Sequence, residues 1–397
     1  MSAASEKTGG GKIIPFTADR RLSVVSHLKR GILFLFVLSL FFSAYIYRGD
    51  LNMNNLKRIT SYLNLGASGD GALDAMELDS GILNRYAVVG GGIAVLNRDT
   101  VKYINAAGKT DMEIQLGYTK PAISSSDALI LCYDRGSGSL CVANTFEVFF
   151  KKTMDSPIIA ASMGKNGAFC VVTDENGYRA AVTVFDSHQK EVYLWQTSEY
   201  FVSAASVSTS GKKMAAAVFS GEGIDINSKI IVFDTTKETP VCEFPQDGES
   251  ILAVRFLSDS RIVVITNTKA SVYDIPDGLV NSVSYDEGTL SGFVFPDDRG
   301  ALLALDSGEV NQSIRLLLLD KNGKTSADRV IGGEMQSISA KGRCYAVLTT
   351  DKAYYFDRDL GDLKAPETAR GAKEIYMRDD GGAFLIFNNR IELSPPG

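Results

Sequence analysis

Short apolar runs alternate with polar turns along most of the chain after residue 70. Eight of these runs can be aligned, and their starts are 36, 40, 46, 48, 39, 43 and 39 residues apart. They are rich in β-branched and aromatic residues and lie between Gly, Asn and Asp, which predicts β-strands rather than helical repeats. In chain order they are "GIAVLN" at 92, "ALILCY" at 128, "AFCVVT" at 168, "MAAAVF" at 214, "IVVITN" at 262, "ALLALD" at 301, "CYAVLT" at 344 and "AFLIFN" at 383.

A second anchor repeats with a similar period. It is an apolar strand that ends in Asn or Asp, and its spacings are 39, 42, 48, 40, 46 and 37 residues. A period of roughly 40 to 45 residues that carries several short strands is typical of β-propeller blades. These strands end at Asn105, Asn144, Asp186, Asp234, Asp274, Asp320 and Asp357.

The number of repeats predicts an all-β propeller of eight four-stranded blades over residues 72–397. The last unit stops at "RIELSPPG" after two or three strands, and a ring must close because an open edge strand invites aggregation. The segment "ALDAMELD" at 72–79 is therefore predicted to supply the missing outer strand. Seven blades are the alternative, if two end units are halves of one blade. Runs of small residues, such as "IAAS" (159–162) and "SAAS" (203–206), are expected in the innermost strands.

The segment "GILFLFVLSLFFSAYIY" (31–47) contains no charged residue and lies between Arg30 and Arg48. At about 1.5 Å per residue it spans roughly 25 Å, the short end of what crosses a bilayer. It is predicted to be a transmembrane helix that acts as a signal anchor. A cleaved signal peptide is the alternative, although no small-x-small cleavage site follows. The basic residues before it predict a cytoplasmic N-terminus and an extracytoplasmic propeller at the cell membrane.

The remaining segments are predicted to connect these parts. Residues 1–30 lack periodicity and are expected to form a disordered cytoplasmic tail. Residues 48–71 contain "LNMNNLKRITSYLNL" and then "GASGDG", which predict a juxtamembrane stalk and a flexible linker.

Charge is distributed unevenly between the ends of the chain. The formal net charge is −6, but residues 1–50 carry seven Lys and Arg against three Asp and Glu. Residues 51–397 therefore carry a net charge of −10. An acidic body argues against a nucleic-acid partner, whose phosphates require clustered Lys and Arg.

Residues suited to catalysis or metal binding are scarce. His27 lies beside the membrane segment and His188 lies in the turn "DSHQKE", so neither is expected in a central pocket. No zinc-type spacing, P-loop, Rossmann fingerprint or G-x-S-x-G occurs. We therefore predict no catalytic residue, no metal site and no cofactor. Calcium stays open as a cofactor because carboxylates and Asn converge on some loops, although no EF-hand loop is present.

Two of the five cysteines flank the turn "YDRGSGSL". Pairing Tyr133 with Leu140 places Cys132 opposite Cys141 on adjacent strands. In an oxidising compartment these two residues could form a disulfide. The alternative is a pair of buried thiols that act as small apolar residues.

Three long connections and the shorter turn "DRGSG" follow the same strand of their units and should emerge on one face of the disc. They are "DRGSG" (134–138), "DENGYR" (174–179), "SGEGIDINSK" (220–229) and "DSGEVNQS" (306–313). Loops on a rigid scaffold are where function collects, so we interpret this acidic face as the ligand or partner surface. Solubilising hairpin tips are the alternative. The acidic residues are Asp134, Asp174, Glu175, Glu222, Asp225, Asp306 and Glu309.

Turns such as "SMGKNGAF" and "VSTSGKKM", followed by strands that end in "VFD", resemble blades of WD40-like, YVTN and quinoprotein-alcohol-dehydrogenase-like propellers. The basic tail, single anchor and propeller together resemble an uncharacterised single-pass membrane family of Gram-positive bacteria, known as a domain of unknown function. The resemblance implies the fold more than any activity. Trp195 is the single Trp in the sequence, so the Trp-Asp dipeptides of WD40 blades and the Trp-rich docking motifs of quinoprotein enzymes are missing.

These observations favour a membrane-anchored extracytoplasmic propeller that acts as a non-catalytic scaffold for an envelope protein or a polysaccharide. The alternative is a propeller hydrolase or lyase that uses carboxylates or calcium at the central channel. A sensor coupled to the cytoplasmic tail is a third, minor interpretation. Convergent carboxylates in a deep axial pocket would favour the enzyme, whereas a channel lined by Ala, Ser and Val would favour the scaffold.

Overall fold

The structure is a computed structural model that describes residues 76–78 and 83–396, apart from 223–224, 247, 286–287, 298 and 309–312. It also describes five positions between residues 32 and 39, which are helical. The predicted tail (1–30), the predicted stalk (48–71) and most of the predicted transmembrane helix (31–47) lie outside the described residues. Among the residues that are described, no helix is long and apolar enough to cross a membrane.

Within the described residues, thirty-two strands form eight sheets of four antiparallel strands each. The prediction of an all-β propeller with eight four-stranded blades is therefore confirmed, and the seven-blade alternative is wrong. Blade 1 contains β2 (Arg85–Val89), β3 (Gly92–Leu96), β4 (Thr100–Ile104) and β5 (Thr110–Gln115), and blade 2 contains β6 (Pro121–Ser125), β7 (Ile130–Asp134), β8 (Ser139–Ala143) and β9 (Val148–Thr153). Blade 3 contains β10 (Ile158–Met163), β11 (Phe169–Thr173), β12 (Ala180–Phe185) and β13 (Glu191–Thr197), and blade 4 contains β14 (Phe201–Val207), β15 (Lys213–Glu222), β16 (Asp225–Asp234) and β17 (Pro240–Pro245). Blade 5 contains β18 (Ile251–Ser258), β19 (Arg261–Thr266), β20 (Lys269–Asp274) and β21 (Gly278–Ser284), and blade 6 contains β22 (Thr289–Val294), β23 (Ala301–Asp306), β24 (Ser313–Leu319) and β25 (Thr325–Gly332). Blade 7 contains β26 (Met335–Lys341), β27 (Cys344–Thr349), β28 (Lys352–Phe356) and β29 (Asp362–Thr368), and blade 8 contains β30 (Glu374–Met377), β31 (Ala383–Ile386), β32 (Arg390–Ser394) and β1 (Met76–Glu77).

The ring is closed by the first strand of the chain. Strand β1 pairs antiparallel with β32, and Met76 lies opposite Ile391. Met76 is buried in a cluster that also contains Ile93 of blade 1 and Phe384 of blade 8. The prediction that the segment 72–79 supplies the last outer strand is thus confirmed, and the free edge that an incomplete blade would expose is covered.

The apolar pattern of each strand follows its distance from the axis. Second strands such as β3, β7 and β11 are buried along their whole length, because neighbouring blades cover both faces of the sheet. Fourth strands such as β9 alternate between partly buried and exposed residues, as expected of a strand with one wet face. Eight hydrophobic clusters, one for each pair of adjacent blades, make up the core.

The antiparallel order of the strands defines two faces of the disc. The four strands of a blade are labelled A to D from the axis outwards. Turns between strands A and B lie on one face, named the A–B face here. Hairpins between strands B and C lie on the other face together with the connections between blades, and this face is named the B–C face.

Candidate functional site

The central channel is lined by the A strands, and their small residues face it. Two cavities of about 230 and 340 Å³ lie along the channel. The segments "IAAS" and "SAAS", expected to be innermost, lie in β10 and β14, which are both A strands. Small residues that line the cavities are Ala160, Ala161, Ser162, Ala204, Ala205, Ser206, Ala253, Ser124, Ser125, Ser339 and Ala340.

Charged side chains are concentrated at the A–B mouth of this channel. Lys165 Nζ lies 2.8 Å from Asp297 Oδ1, which joins blades 3 and 6. Lys341 Nζ lies 2.6 Å from Asp127 Oδ1, which joins blades 7 and 2. Arg255 of β18 lines the 340 Å³ cavity together with these two ion pairs, and its guanidinium lies 5.6 Å from the centre of the Phe295 ring.

The neighbouring charges at the mouth shift the pKa values of two carboxyl groups, those of Asp297 and Asp379. Burial tends to raise the pKa of Asp297, but the hydrogen bond and charge of Lys165 hold it below its usual range. Partial burial raises the pKa of Asp379; the positive charge of Lys341 opposes this effect, and the negative charges of Asp127 and Asp297 add to it. Among the described residues, the A–B mouth therefore brings carboxylates and basic groups together, and many of these charges neutralise one another. They include Asp127, Asp297, Asp379, Lys165, Lys341 and Arg255.

The four predicted acidic connections follow strands β7, β11, β15 and β23, each the B strand of its blade. They therefore lie on the B–C face, on blades 2, 3, 4 and 6. One of them departs from the prediction of a loop: in the segment 220–229 the strands β15 and β16 continue as a hairpin, with Glu222 paired to Asp225.

Asp134 is the clearest departure from the predicted acidic surface. It is only 3% exposed, and its Oδ1 accepts hydrogen bonds from the backbone N–H groups of Thr119 (3.0 Å) and Lys120 (2.6 Å). Because a buried carboxylate is stable when such donors satisfy it, this residue fixes the connection between blades 1 and 2. It does not offer its charge to a ligand.

The remaining predicted acids do not form one cluster in the described part of the chain. Asp174 and Asp306 are exposed on different blades, and Glu175 is partly buried. Glu309 and the side chains of Glu222 and Asp225 lie outside what is described. Among the described residues, no group of three or more His, Cys, Asp or Glu side chains is arranged to hold a metal ion.

Asp174 instead lines a groove of about 500 Å³ with four basic residues that the acidic pattern missed. The groove lies on the B–C face and runs over blades 1, 2 and 3. Its basic residues are Arg85, Arg98, Lys120 and Arg135, and its apolar residues are Leu83, Pro121, Pro157, Ile158 and Ile159. A search for bases in the same connections could have found part of it, since Arg135 directly follows Asp134.

The cysteine register is as predicted. Tyr133 lies opposite Leu140 and Cys132 lies opposite Cys141. Both cysteines are buried and are free thiols in the structure. The hydrogen bond with Cys141 and the burial of the side chain raise the pKa of Cys132. A disulfide between them stays a prediction.

Comparisons with known proteins agree with the fold. A model described as "Family of unknown function (DUF5711)" matches residues 73–392. No curated protein matches the chain. The C-terminal WD40 domain of Sif2 is similar at 12% identity and a TM-score of 0.56, over 81% of this chain and 99% of that one. BamB from Moraxella catarrhalis is similar at 12% identity and a TM-score of 0.49, over 81% and 100%. Kuenenia stuttgartiensis hydrazine synthase follows at 14% and 0.43, over 77% and 92%.

Proposed function

The chain belongs to the DUF5711 family of unknown function, and we propose that its propeller is a non-catalytic scaffold that binds a partner at the cell envelope. In this proposal residues 31–47 anchor the protein in the membrane as a single span, as in the Gram-positive family that the sequence resembles. The N-terminus is cytoplasmic and the propeller is extracytoplasmic. The partner is an envelope protein or a polysaccharide, bound through the B–C face.

One observation carries the scaffold proposal. The channel, where propeller enzymes would gather reactive groups, has many Ala and Ser residues along its A strands, and two of the carboxylates at its mouth are already paired with lysines. A carboxylate that serves as the counter-ion of a lysine is a poor general base, because the pairing stabilises its charged form. The geometry therefore supports binding rather than chemistry.

A second candidate function rests on Asp379. Its raised pKa, close to Asp127 and Asp297, is the pattern that a hydrolase or lyase would need in a general acid. The same cluster contains Lys341 and Lys165, which neutralise the other two carboxylates. Since Asp379 itself is exposed, this pattern supports the enzyme less strongly than the small-residue wall supports the scaffold.

Proximity labelling in cells tests the scaffold proposal, with the labelling enzyme fused after Gly397. A matched control carries the same enzyme fused after residue 71 and so lacks the propeller. Envelope proteins captured by the full chain and not by the control are the expected result. Capture of cytoplasmic proteins alone would contradict the topology, and identical capture by both fusions would contradict a binding role for the propeller.

A further inference from the structure

We propose that the basic groove on blades 1 to 3 binds an acidic segment of a partner protein, one that carries apolar side chains beside its carboxylates. This inference rests on the proposed scaffold function and names the site and the chemistry of its ligand. Its lining residues come from the B–C hairpins and from the connections between the blades.

The lining of the groove is basic, whereas the propeller as a whole is acidic. Its described lining contains four bases and one acid, Asp174, while residues 51–397 carry a net charge of −10. The bases are Arg85, Arg98, Lys120 and Arg135. Among the described residues, none of these four bases is in an ion pair, whereas Arg261, Arg315 and Arg329 all pair with carboxylates within their blades or next to them. Four cations that form no ion pair with any described residue, in one concave site with Asp174, favour an anionic ligand.

The backbone of the groove is held in place before any ligand arrives. The carboxylate of Asp134 accepts hydrogen bonds from Thr119 N and Lys120 N. Arg135 N donates to the carbonyl of Lys120 over 3.0 Å, so the hairpin that carries one base is tied to the connection that carries another.

A second set of hydrogen bonds joins blade 2 to blade 3 and ties the start of blade 3 to its own B–C connection. Gly136 N donates to Ile158 O over 2.9 Å, and Asp174 N donates to Pro157 O over 2.9 Å. A backbone fixed in this way lowers the entropic cost of binding, because the ligand has to order only the side chains.

The apolar residues of the groove favour an acidic protein segment over a phosphate polymer as the anionic ligand. Leu83 is 63% exposed and Ile159 is 39% exposed, and both border the cavity with Pro157. A protein segment with Leu- or Val-like side chains would cover them, whereas a phosphate polymer has no apolar part to do so. A long polyanion would also be repelled by the acidic propeller around the groove, so a short acidic protein segment fits best.

Arginine suits this ligand because its planar guanidinium binds carboxylates through two parallel hydrogen bonds. Three of the four bases are arginines. The expected binding is therefore specific for carboxylates, sensitive to salt and dependent on the apolar residues of the ligand.

The test measures binding of short fluorescein-labelled peptides to the full-length chain in detergent. The first peptide contains Asp, Leu and Ser, the second has Asn for Asp, and the third has Gly for Leu. Sodium polyphosphate is the fourth probe. The protein variants are Arg98→Gln with Arg135→Gln, and a matched control of Lys352→Gln with Arg370→Gln, which removes the same charge from the same face on blade 7 and its connection to blade 8.

We expect the Asp–Leu peptide to bind and the Asn and Gly peptides to bind at least about tenfold more weakly. The groove variant should lose at least about tenfold in affinity, while the control variant stays within about twofold. Equal losses in both variants, equal binding of the Asn peptide, no binding of the Asp–Leu peptide, or groove-dependent binding of polyphosphate alone would each overturn the proposal. Equal unfolding midpoints of the variants, followed by Trp195 fluorescence, show that a loss of binding is not a loss of folding.

Failure of this inference can be told from failure of the scaffold proposal. If the groove variant captures the same envelope proteins in proximity labelling as the unmodified chain, the scaffold function stands and the groove is not its site. If the groove variant loses one captured protein and the control variant keeps it, both proposals are supported.

Discussion

Lys341 and Asp127, which are 214 residues apart in the chain, form an ion pair across the channel with Nζ 2.6 Å from Oδ1. Lys341 ends the A strand of blade 7, and Asp127 lies in the A–B turn of blade 2. Lys165 and Asp297 make the same kind of bridge between blades 3 and 6. Because hydrophobic clusters join only adjacent blades, these two pairs are direct links between blades that are not neighbours in the ring.

A double-mutant cycle should detect the first of these links. Lys341→Gln and Asp127→Asn should show a coupling free energy of about 0.5 to 1 kcal/mol, since both groups keep some contact with water. Urea unfolding followed by the fluorescence of Trp195 measures it. The pair Arg370–Asp351, which is more exposed, is the control and should couple less. A coupling of zero for the channel pair would show that it does not stabilise the ring.

The pH dependence of stability should report on Asp297. Its pKa is lower in the folded chain than in the unfolded chain, so its ionised form stabilises the fold. That contribution is present above the ordinary carboxyl pKa of about 3.9 and is lost as the pH falls through the lower, folded value. Asp297→Asn should therefore be less stable than the unmodified chain at pH 7, and the difference should shrink in acid. A difference that is constant with pH would contradict the ion-pair explanation.

Ring closure through β1 should be measurable with Met76→Ala. The substitution removes a buried side chain between blade 8 and blade 1 and should cost about 2 kcal/mol of unfolding free energy, the low end of the usual range because β1 is short. Leu279→Ala is the control, since Leu279 is 59% exposed and its loss should cost less than about 0.5 kcal/mol. Equal effects of the two changes in urea unfolding would argue against closure by this strand.

The substitution Asp134→Ala tests whether Asp134 holds the backbone of the groove in place or repels an acidic ligand by its charge. Loss of the carboxylate leaves the N–H groups of Thr119 and Lys120 without their acceptor and should cost about 1 to 3 kcal/mol of unfolding free energy. It should also weaken binding of the Asp–Leu peptide, because the connection that presents Lys120 is loosened. Stronger binding would mean that Asp134 acts by its charge. Asp306→Ala, an exposed acid on blade 6, should change neither property.

Much of the fold could be predicted because its information is local. The repeat period set the number of blades, and the small residues of "IAAS" and "SAAS" marked the inner strands. Strand register follows from the turn between two strands, so the pairing of Cys132 with Cys141 could also be predicted. The hairpin β15–β16 was missed because its polar sequence has the composition of a loop, while the strands continue through it.

The repeat, the strands, the closing segment and the face on which the four B–C connections emerge all follow from the amino-acid pattern. The burial and charge pairing of those connections do not, because both depend on which blades lie side by side. The sequence predicts Asp134 as a surface acid, whereas in the fold its carboxylate is buried against the backbone N–H groups of Thr119 and Lys120. The basic groove and the bridge from Lys341 to Asp127 join residues far apart in the chain, and no local pattern of hydrophobic and polar positions records such distances.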